Sequence, residues 1–209
     1  MAAEIRGLTR IRDKERVIAA LKSAFIDYPK LTAAFPGKER RAIAVESALR
    51  FYVAFAMRYG GAYALNSLCQ EAVVIIPSSR RKASKLKYFL AGSYSRRYKN
   101  TIWKLSEGEK QTQIEVFSEM EQMETQIKFP SKYIYVNFLG VRPEYQKRGK
   151  GRAVMEKVLA YGEKRSLPIV LFTNEPKTVG FYQSMGFKIM GITSSKKFQF
   201  INIYLVKLQ

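Results

Sequence analysis

The segment FLGVRPEYQKRGKGRAVMEKVL, residues 138–159, joins a predicted strand to a predicted helix through a basic, glycine-containing loop. A helix N-terminus presents free backbone N–H groups and the positive end of the helix dipole. Gly149 and Gly151 let the backbone approach a ligand closely and adopt positive φ. Cationic side chains surround these glycines at Lys147, Arg148, Lys150 and Arg152. The segment therefore predicts a site for a phosphate-bearing ligand, and a pyrophosphate suits it best.

Two common nucleotide-binding motifs do not match this loop. A P-loop requires serine or threonine directly after a Gly-Lys pair, whereas Gly149-Lys150 is followed by Gly151. The dinucleotide motif GxGxxG requires a third glycine, and Val154 occupies that position. The loop alone leaves two interpretations open, an anion site or a glycine-rich turn flanked by solvated charges.

The composition favours anionic partners and excludes several catalytic classes. Lysine and arginine total 37 against 17 aspartates and glutamates, so the net charge is +20. Such a charge attracts nucleic acid, anionic membranes, phosphorylated cofactors and acidic peptides. The chain has no histidine and one cysteine, which excludes Ser-His and Cys-His nucleophile pairs and disfavours a transition-metal site. We therefore predict no metal.

The cysteine content and the first residues favour a cytoplasmic protein. Cys69 has no second cysteine with which to form a disulfide, which suits a reducing compartment. The opening sequence MAAEIRGLTRIRDKER lacks the apolar core of a signal peptide. No apolar stretch reaches the roughly 20 residues of a membrane span.

Hydrophobic periodicity predicts one α/β domain over residues 1–209. Helices are predicted from Asp13 to Tyr28, where Pro29 ends the first, and over residues 35–59. A mostly helical insert is predicted over about residues 80–129. A further helix, residues 150–165, joins two of the strands and predicts that they are parallel neighbours in a mixed sheet. The predicted strands are GAYALNS, EAVVIIPSS, KYIYVNFLGV, LPIVLFT, FKIMGIT and FQFINIYLV.

Two motifs together resemble the GNAT superfamily of acyl-CoA-dependent N-acyltransferases. Residues 138–159 are similar to its motif A, a strand followed by Q/R-x-x-G-x-G/A and a helix, here with Gln146, Gly149 and Gly151. Residues 181–187, FYQSMGF, are similar to the downstream aromatic-Tyr and Gly-Phe signature. The resemblance implies the GNAT fold, a central mixed twisted sheet flanked by helices, with the helical insert between strands 3 and 4.

The resemblance implies acetyl-CoA as cosubstrate. Its pyrophosphate would lie on the amides of Arg148 to Arg152, and its pantetheine arm would run as a pseudo-strand beside Leu139-Gly140-Val141. Gln146 would help to set the loop, and the cationic surplus would help to capture the 3′-phosphate. The cofactor-binding residues that the resemblance implies are Leu139, Gly140, Val141, Gln146, Lys147, Arg148, Gly149, Lys150, Gly151, Arg152, Asn174 and Phe181.

The implied reaction is N-acetylation of a primary amine by direct attack in a ternary complex. Tyr182 is the implied catalytic residue, as proton donor to the departing sulfur, and its alternative is a packing aromatic. A backbone N–H of residues 138–141 is the candidate oxyanion donor. The strand that precedes the loop contains no carboxylate to act as base. Glu71 and Glu46 are weak candidates, and each has the alternative of a surface acid in a salt bridge.

One departure from the family pattern concerns Asn174. In many relatives an asparagine seven residues before the tyrosine contacts pantetheine. Asn174 lies eight residues before Tyr182, and Glu175 occupies the usual place. Either the loop carries one additional residue or the asparagine role is absent.

The acceptor is expected to be a small-molecule or peptide amine, and the positive charge disfavours polyamines and aminoglycosides. The stretch from Arg80 to Lys104 carries nine cations interleaved with aromatics and no acid. It predicts either an amphipathic insert with inward aromatics or, less favoured, a nucleic-acid surface. Two alternatives to an enzyme remain, a catalytically weak acyl-CoA-binding protein and a basic nucleic-acid-binding module. Nothing in the sequence indicates the oligomeric state.

Overall fold

The computed structural model describes residues 4–209, so the first three residues of the predicted domain lie outside the described residues. In this part of the chain, seven strands form one open sheet in the order β1-β2-β3-β4-β5-β7-β6. The β4–β5 pair is parallel and its neighbours are antiparallel, which confirms the predicted mixed sheet. The strands are β1 (Thr9–Arg10), β2 (Gly61–Ala64), β3 (Glu71–Pro77), β4 (Ile134–Val141), β5 (Ile169–Thr173), β6 (Lys188–Ser194) and β7 (Ile201–Lys207).

The helices lie on both sides of the sheet. The predicted insert is confirmed as four helices between β3 and β4. The helix that joins β4 to β5 is also confirmed and begins directly after the glycine loop. The helices are α1 (Lys14–Phe25), α2 (Pro29–Ala34), α3 (Lys38–Tyr59), α4 (Ser78–Arg81), α5 (Lys85–Leu90), α6 (Arg96–Ile102), α7 (Glu107–Thr125), α8 (Lys150–Glu163) and α9 (Val179–Gln183).

The structure differs from the sequence prediction in two short elements. Strand β1, two residues that pair with β2, was not predicted because so short a strand carries no periodicity. The first helix ends at Phe25 rather than Tyr28. Pro29 does not merely end a helix, because it occupies the first turn of α2, where proline is tolerated since no intrahelical donor is needed there. Residues 29–34 are therefore helical.

Alternating side chains of the strands build two cores. On one face, Ala72, Val74 and Ile76 of β3 pack under α1 and α3. On the other face, Val73 and Ile75 pack with the apolar side of α8. The helix that carries the glycine loop and the helices α1 and α3 thus cover opposite faces of the sheet.

The sheet opens between its two parallel strands. β4 and β5 pair only at Ile134–Ile169 and Tyr135–Val170, after which they diverge. On its other side β4 continues to pair with β3, but the register shifts so that Asn137 has no opposite residue. A bulge of this kind bends the strand. The result is a gap, bordered by the second half of β4 and the end of β5.

Candidate active site

A cavity of about 800 Å³ occupies the gap between β4 and β5. This volume lies within the about 300–1,000 Å³ that is usual for ligand pockets. The cavity runs from the glycine loop, through the gap, to the helices on the opposite face. Its lining includes Phe25, Tyr28, Lys30, Tyr52, Phe117, Asn137, Phe138, Leu139, Val141, Gln146, Lys147, Gly149, Lys150, Gly151, Arg152, Phe172, Thr173, Glu175, Phe181 and Tyr182.

The glycine loop forms a cradle of backbone amides at the start of α8. Lys147 and Gly149 both have left-handed backbones, with φ of 59° and 74°. Alternation with left-handed residues turns successive N–H groups toward one side and makes an anion-binding nest. Gly149 accepts the first helical hydrogen bond, from the Ala153 N–H at 2.9 Å, so the amides of residues 150–152 have no acceptor within the helix. The Gln146 Nε2 donates to the Val141 carbonyl at 3.0 Å, which fixes the loop to β4.

Cationic side chains around the cradle are held in place. The Lys150 Nζ lies 3.7 Å from the Glu71 carboxylate. The Arg152 guanidinium donates to the Ser184 hydroxyl at 2.6 Å and lies over the Phe181 ring. These contacts keep positive charge beside the free amides, where a phosphate would gain most from it.

Neither weak candidate for the base is placed to take a proton from an amine. Glu71 is fully buried rather than at the surface, and its Oε1 accepts from the Leu65 N–H at 2.8 Å. Glu46 pairs with Lys22 and Arg50. Burial raises the pKa of Glu46, but hydrogen bonds from Lys22 and Arg50 outweigh it and bring the pKa below its ordinary value. A carboxylate stabilised in its charged form is a poor base.

Tyr182 lies on α9 and lines the cavity. Its ring sits between those of Phe181 and Phe187, with centroids 5.0 and 5.7 Å away. Burial, and to a smaller extent Tyr28, raise the pKa of Tyr182 above its ordinary value. No group within residues 4–209 forms a hydrogen bond with its hydroxyl. Tyr182 is therefore protonated at neutral pH, with a donor available to a ligand.

Tyr28, which sequence reasoning missed, ties the helical layer to the end of β5. Its hydroxyl accepts from the Asn174 N–H at 2.9 Å and lies 3.1 Å from the Thr173 hydroxyl. Burial raises the pKa of Tyr28. No motif marks this tyrosine, because its partners are about 145 residues away along the chain.

Lys30, the second residue that sequence reasoning missed, is a buried cation in the cavity wall. Its exposed fraction is 9 %. Its Nζ donates to the Met120 Sδ at 3.3 Å and lies 5.4 to 5.9 Å from the ring centroids of Tyr28, Phe117 and Phe172. Burial lowers the pKa of Lys30 to about 7. The sequence YPK, residues 28–30, predicts only the end of a helix and not the burial of this lysine.

The structure brings most of the predicted site residues together and leaves three of them outside the cavity lining. Arg148 lies over the Tyr145 ring, at 5.8 Å. Gly140 packs against α1. The Asn174 side-chain amide donates to the Ile201 carbonyl at 2.6 Å and to Asn202, on the side of β7. The predicted contact between Asn174 and pantetheine stays a prediction, whereas Glu175 does line the cavity. The predicted residues in the lining are Leu139, Val141, Gln146, Lys147, Gly149, Lys150, Gly151, Arg152, Phe181 and Tyr182.

We expect Gly140→Ala to destabilise the fold, because a Cβ there would lie 2.9 Å from the Ala24 Cβ. Overpacking of this kind costs about 1–3 kcal/mol. The free energy of unfolding, measured with urea, checks the effect. The matched control is Gly108→Ala in α7, where an added Cβ would meet nothing within 4 Å. Equal stability of both variants would show that α1 does not constrain this strand.

The basic insert, Arg80 to Lys104, has some aromatic side chains that pack inward and others that face solvent. Tyr88 and Tyr98 pack inward on Phe51, with centroids 4.6 and 5.4 Å from its ring. Other large apolar side chains face solvent, among them Phe89 and Trp103, which are 68 % and 67 % exposed. Binding of nucleic acid by this insert stays a prediction. None of the helices described over residues 4–209 is long and apolar enough to cross a lipid bilayer.

The fold and the cavity are those of a mixed α/β protein with a ligand-sized pocket in the gap between two parallel strands. The family model of the acetyltransferase (GNAT) domain matches residues 109–189, which include the glycine loop and Tyr182. The family model thus matches the same part of the chain in which the two sequence motifs resemble the GNAT superfamily.

Solved structures of acetyltransferases share this fold over nearly the whole chain. A protein from Corynebacterium glutamicum, described as histone acetyltransferase HPA2 and related acetyltransferase, has a TM-score of 0.63 and 11% identity, over 96% of this chain and 94% of that one. The arylalkylamine N-acetyltransferase 2 from Aedes aegypti has a TM-score of 0.61 and 10% identity, over 96% of this chain and 97% of that one.

A shorter match covers only part of the chain. The ribosomal-protein-S18-alanine N-acetyltransferase from Escherichia coli is 23% identical over 36% of this chain and 54% of that one, with a TM-score of 0.33. The match thus spans about half the length of that protein. Among curated proteins, none matches the sequence.

Proposed function

We propose that this protein is an N-acetyltransferase that moves the acetyl group of acetyl-CoA to a primary amine by direct attack in a ternary complex. One observation carries the proposal: a single cavity connects the amide cradle at α8 with the open edge of β4 and the Tyr182 hydroxyl. A phosphorylated cofactor held at the cradle therefore has a continuous path to a proton donor. The acetyltransferases that share the fold include one described as acting on arylalkylamines, which supports a small-molecule amine as acceptor.

The residues at the cradle fit the diphosphate of coenzyme A. The amides at the start of α8 supply hydrogen bonds, and Lys150 and Arg152 supply charge. Gly151 lines the cavity, and an added Cβ there would lie in ordinary van der Waals contact, 3.6 Å from the Val141 Cγ2. Beyond Tyr135, β4 has no β5 partner, so its backbone groups on that side are available to the pantetheine arm.

The residues near the gap fit acyl transfer. The amine nitrogen forms a bond to the acetyl carbon while the carbon–sulfur bond breaks. A backbone N–H of residues 138–141 stabilises the negative charge that develops on the carbonyl oxygen. Tyr182 donates its proton to the departing sulfur. The amine loses its proton to water or to a carboxylate, and among the described residues that line the cavity only Glu175 has one.

The test uses the purified protein, acetyl-CoA and a panel of primary amines. We expect coenzyme A to bind and thiol release to depend on the amine, with the acetylated amine identified by mass spectrometry. Binding without turnover on any amine would favour the acyl-CoA-binding alternative. Failure to bind coenzyme A at millimolar concentration would overturn the proposal.

We expect Gly149→Ala to weaken coenzyme A binding about 10-fold. The left-handed backbone that Gly149 adopts costs a residue with a Cβ about 1–2 kcal/mol of conformational free energy. The loop of the variant would therefore relax away from the cradle geometry. Isothermal titration calorimetry with coenzyme A measures the effect, and Gly108→Ala, far from the cradle in sequence and on α7, is the control. An unchanged dissociation constant would mean that the cradle does not hold the diphosphate.

A further inference from the structure

The half of the cavity that faces the helices is lined almost entirely by apolar and aromatic side chains. We call this half the helical chamber, and define it by Leu31, Val45, Leu49, Tyr52, Phe117 and Phe172, with Lys30 in its wall. Helices α1 and α3 cover the face of the sheet opposite to α8 and the cradle. A cofactor held at the cradle therefore leaves the helical chamber to the acceptor.

Lys30 is the charged group of this chamber, and the protein provides no counter-charge for it. No carboxylate in residues 4–209 forms an ion pair with Lys30, and its hydrogen-bond partner is the Met120 thioether, a weak acceptor. Its other neighbours, Tyr28, Phe117 and Phe172, are uncharged rings. A buried ammonium without an anion costs free energy, so such an arrangement indicates a ligand that supplies one.

Arg41 shows how the same protein treats a buried cation that has a structural role. Arg41 is 8 % exposed, close to Lys30 in burial. Its guanidinium pairs with Asp27 and donates to the carbonyls of Ile26, Phe35 and Pro36. Lys30 has none of these partners although both residues flank the same loop. This difference indicates that Lys30 binds a ligand and does not serve to stabilise the fold.

We propose that Lys30 binds a carboxylate of the acceptor, which is therefore a primary amine with a carboxylate and an apolar, aromatic or aliphatic body. This inference rests on the proposed acetyl transfer and names its substrate class. The apolar chamber takes the body, and the ammonium takes the carboxylate. Polyamines fit less well, because the charged group in the chamber wall is a cation and Glu175, the carboxylate of the described cavity lining, lies after β5 and outside the chamber.

The titration behaviour of Lys30 agrees with this assignment. Burial lowers the pKa of Lys30 to about 7, so the free protein holds it partly neutral at physiological pH. A bound carboxylate favours the charged form and restores the proton. Two tyrosines share the cavity wall with it, Tyr28 before α2 and Tyr52 on α3, and burial raises the pKa of both, so both are neutral. The carboxylate of Glu175, after β5, lines the same cavity but forms no ion pair with Lys30. The facing residues of α7 and β5 are Phe117, Met120 and Phe172.

The test compares matched amines that differ only in the carboxylate. One pair is phenylalanine and phenethylamine, and the other is 4-(aminomethyl)benzoate and benzylamine. With acetyl-CoA and the wild-type protein, we expect kcat/KM to favour the carboxylate-bearing member of at least one pair by about 10-fold or more. In Lys30→Met, which keeps the length and apolar volume of the side chain, we expect that preference to disappear. Activity on the carboxylate-free member should stay within about threefold. Lys132→Met, an exposed lysine outside the cavity, should keep the wild-type preference.

Two results would overturn the inference. The first is a wild-type preference for the carboxylate-free member of both pairs. The second is an equal loss of activity on both members in Lys30→Met, which would make Lys30 a base or a packing residue.

A second measurement separates this inference from the proposed function. Binding of 3-phenylpropionate, which has no amine to acetylate, is followed by saturation-transfer NMR and requires no turnover. We expect it to bind the wild-type protein and Lys132→Met, and not Lys30→Met. Such binding together with absent acetyl transfer would overturn the proposed function and keep the carboxylate site. Equal binding to all three proteins, or to none, would overturn the carboxylate site.

Discussion

Tyr182→Phe is expected to lower kcat for acetyl transfer about 100-fold and to change the affinity for coenzyme A by less than about twofold. The substitution removes a hydroxyl and keeps the ring that packs between Phe181 and Phe187. Because no described residue pairs with the hydroxyl, its loss leaves no buried partner unsatisfied. The fold and the cradle should therefore stay intact while the proton donor is absent.

The size of this effect follows from the leaving group. General acids contribute about 10²–10⁴-fold, and a thiolate leaves more readily than an alkoxide because a thiol has a pKa of about 8.5. We therefore expect the decrease in kcat of Tyr182→Phe to lie at the lower end of this range. Since burial raises the pKa of Tyr182, the wild-type rate should show no loss from its ionisation between pH 7 and about pH 10.

Steady-state kinetics and calorimetry with coenzyme A measure the two quantities. The matched control is Tyr94→Phe, an exposed tyrosine of the insert that does not line the cavity. An unchanged kcat in Tyr182→Phe would reduce Tyr182 to the packing aromatic that the sequence left open. A lost affinity for coenzyme A with normal kcat would instead make it a binding residue.

The second large effect is an increase in stability. Lys30→Met is expected to raise the free energy of unfolding of the ligand-free protein by about 2–3 kcal/mol at pH 6, because it removes an ammonium buried without a counter-charge. Methionine retains most of the apolar stem, so the packing with Phe117 and Phe172 should be kept. An ordinary core substitution would lower stability, so the sign of the change is diagnostic.

The gain should depend on pH in a defined direction. Burial lowers the pKa of Lys30 to about 7 from an ordinary value of 10.5. Between these values the unfolded chain binds a proton that the folded protein lacks, so wild-type stability rises with pH in this window. Below about pH 7 both states are protonated, and the destabilisation is complete and constant. The advantage of Lys30→Met is therefore largest at pH 6 and smaller at pH 10.

Urea unfolding at pH 6 and pH 10 measures both quantities for the wild type, Lys30→Met and Lys132→Met. The exposed lysine should change stability by less than about 0.5 kcal/mol at either pH. A destabilised Lys30→Met, or a gain that grows toward pH 10, would contradict a buried and unpaired ammonium.

The sequence by itself determined the cradle and the approximate order of the elements. Gly149 and Gly151, spaced from Gln146, specify a local backbone that few other residues adopt, and local backbone demands are readable without the fold. The second motif, FYQSMGF at residues 181–187, is readable from the sequence for the same reason. Its Gly186 has a φ of 85° directly after α9, a backbone conformation that favours glycine. Helical and strand periodicity then gave the mixed sheet and the insert.

Only the tertiary structure decided which side chains complete the cavity. Tyr28 reaches Thr173 and Asn174, Lys30 reaches Met120, and Glu71 reaches Lys150. Each pair joins segments about 80 to 145 residues apart, and no periodic pattern encodes a contact of that separation. The same holds for the burial of Lys30: the sequence shows a lysine beside a proline, and only the packing of α2 against α7 and β5 removes it from water. Whether a side chain is buried or paired depends on how the helices pack on the sheet. The free-energy cost of an unpaired charge therefore arises only in the folded protein.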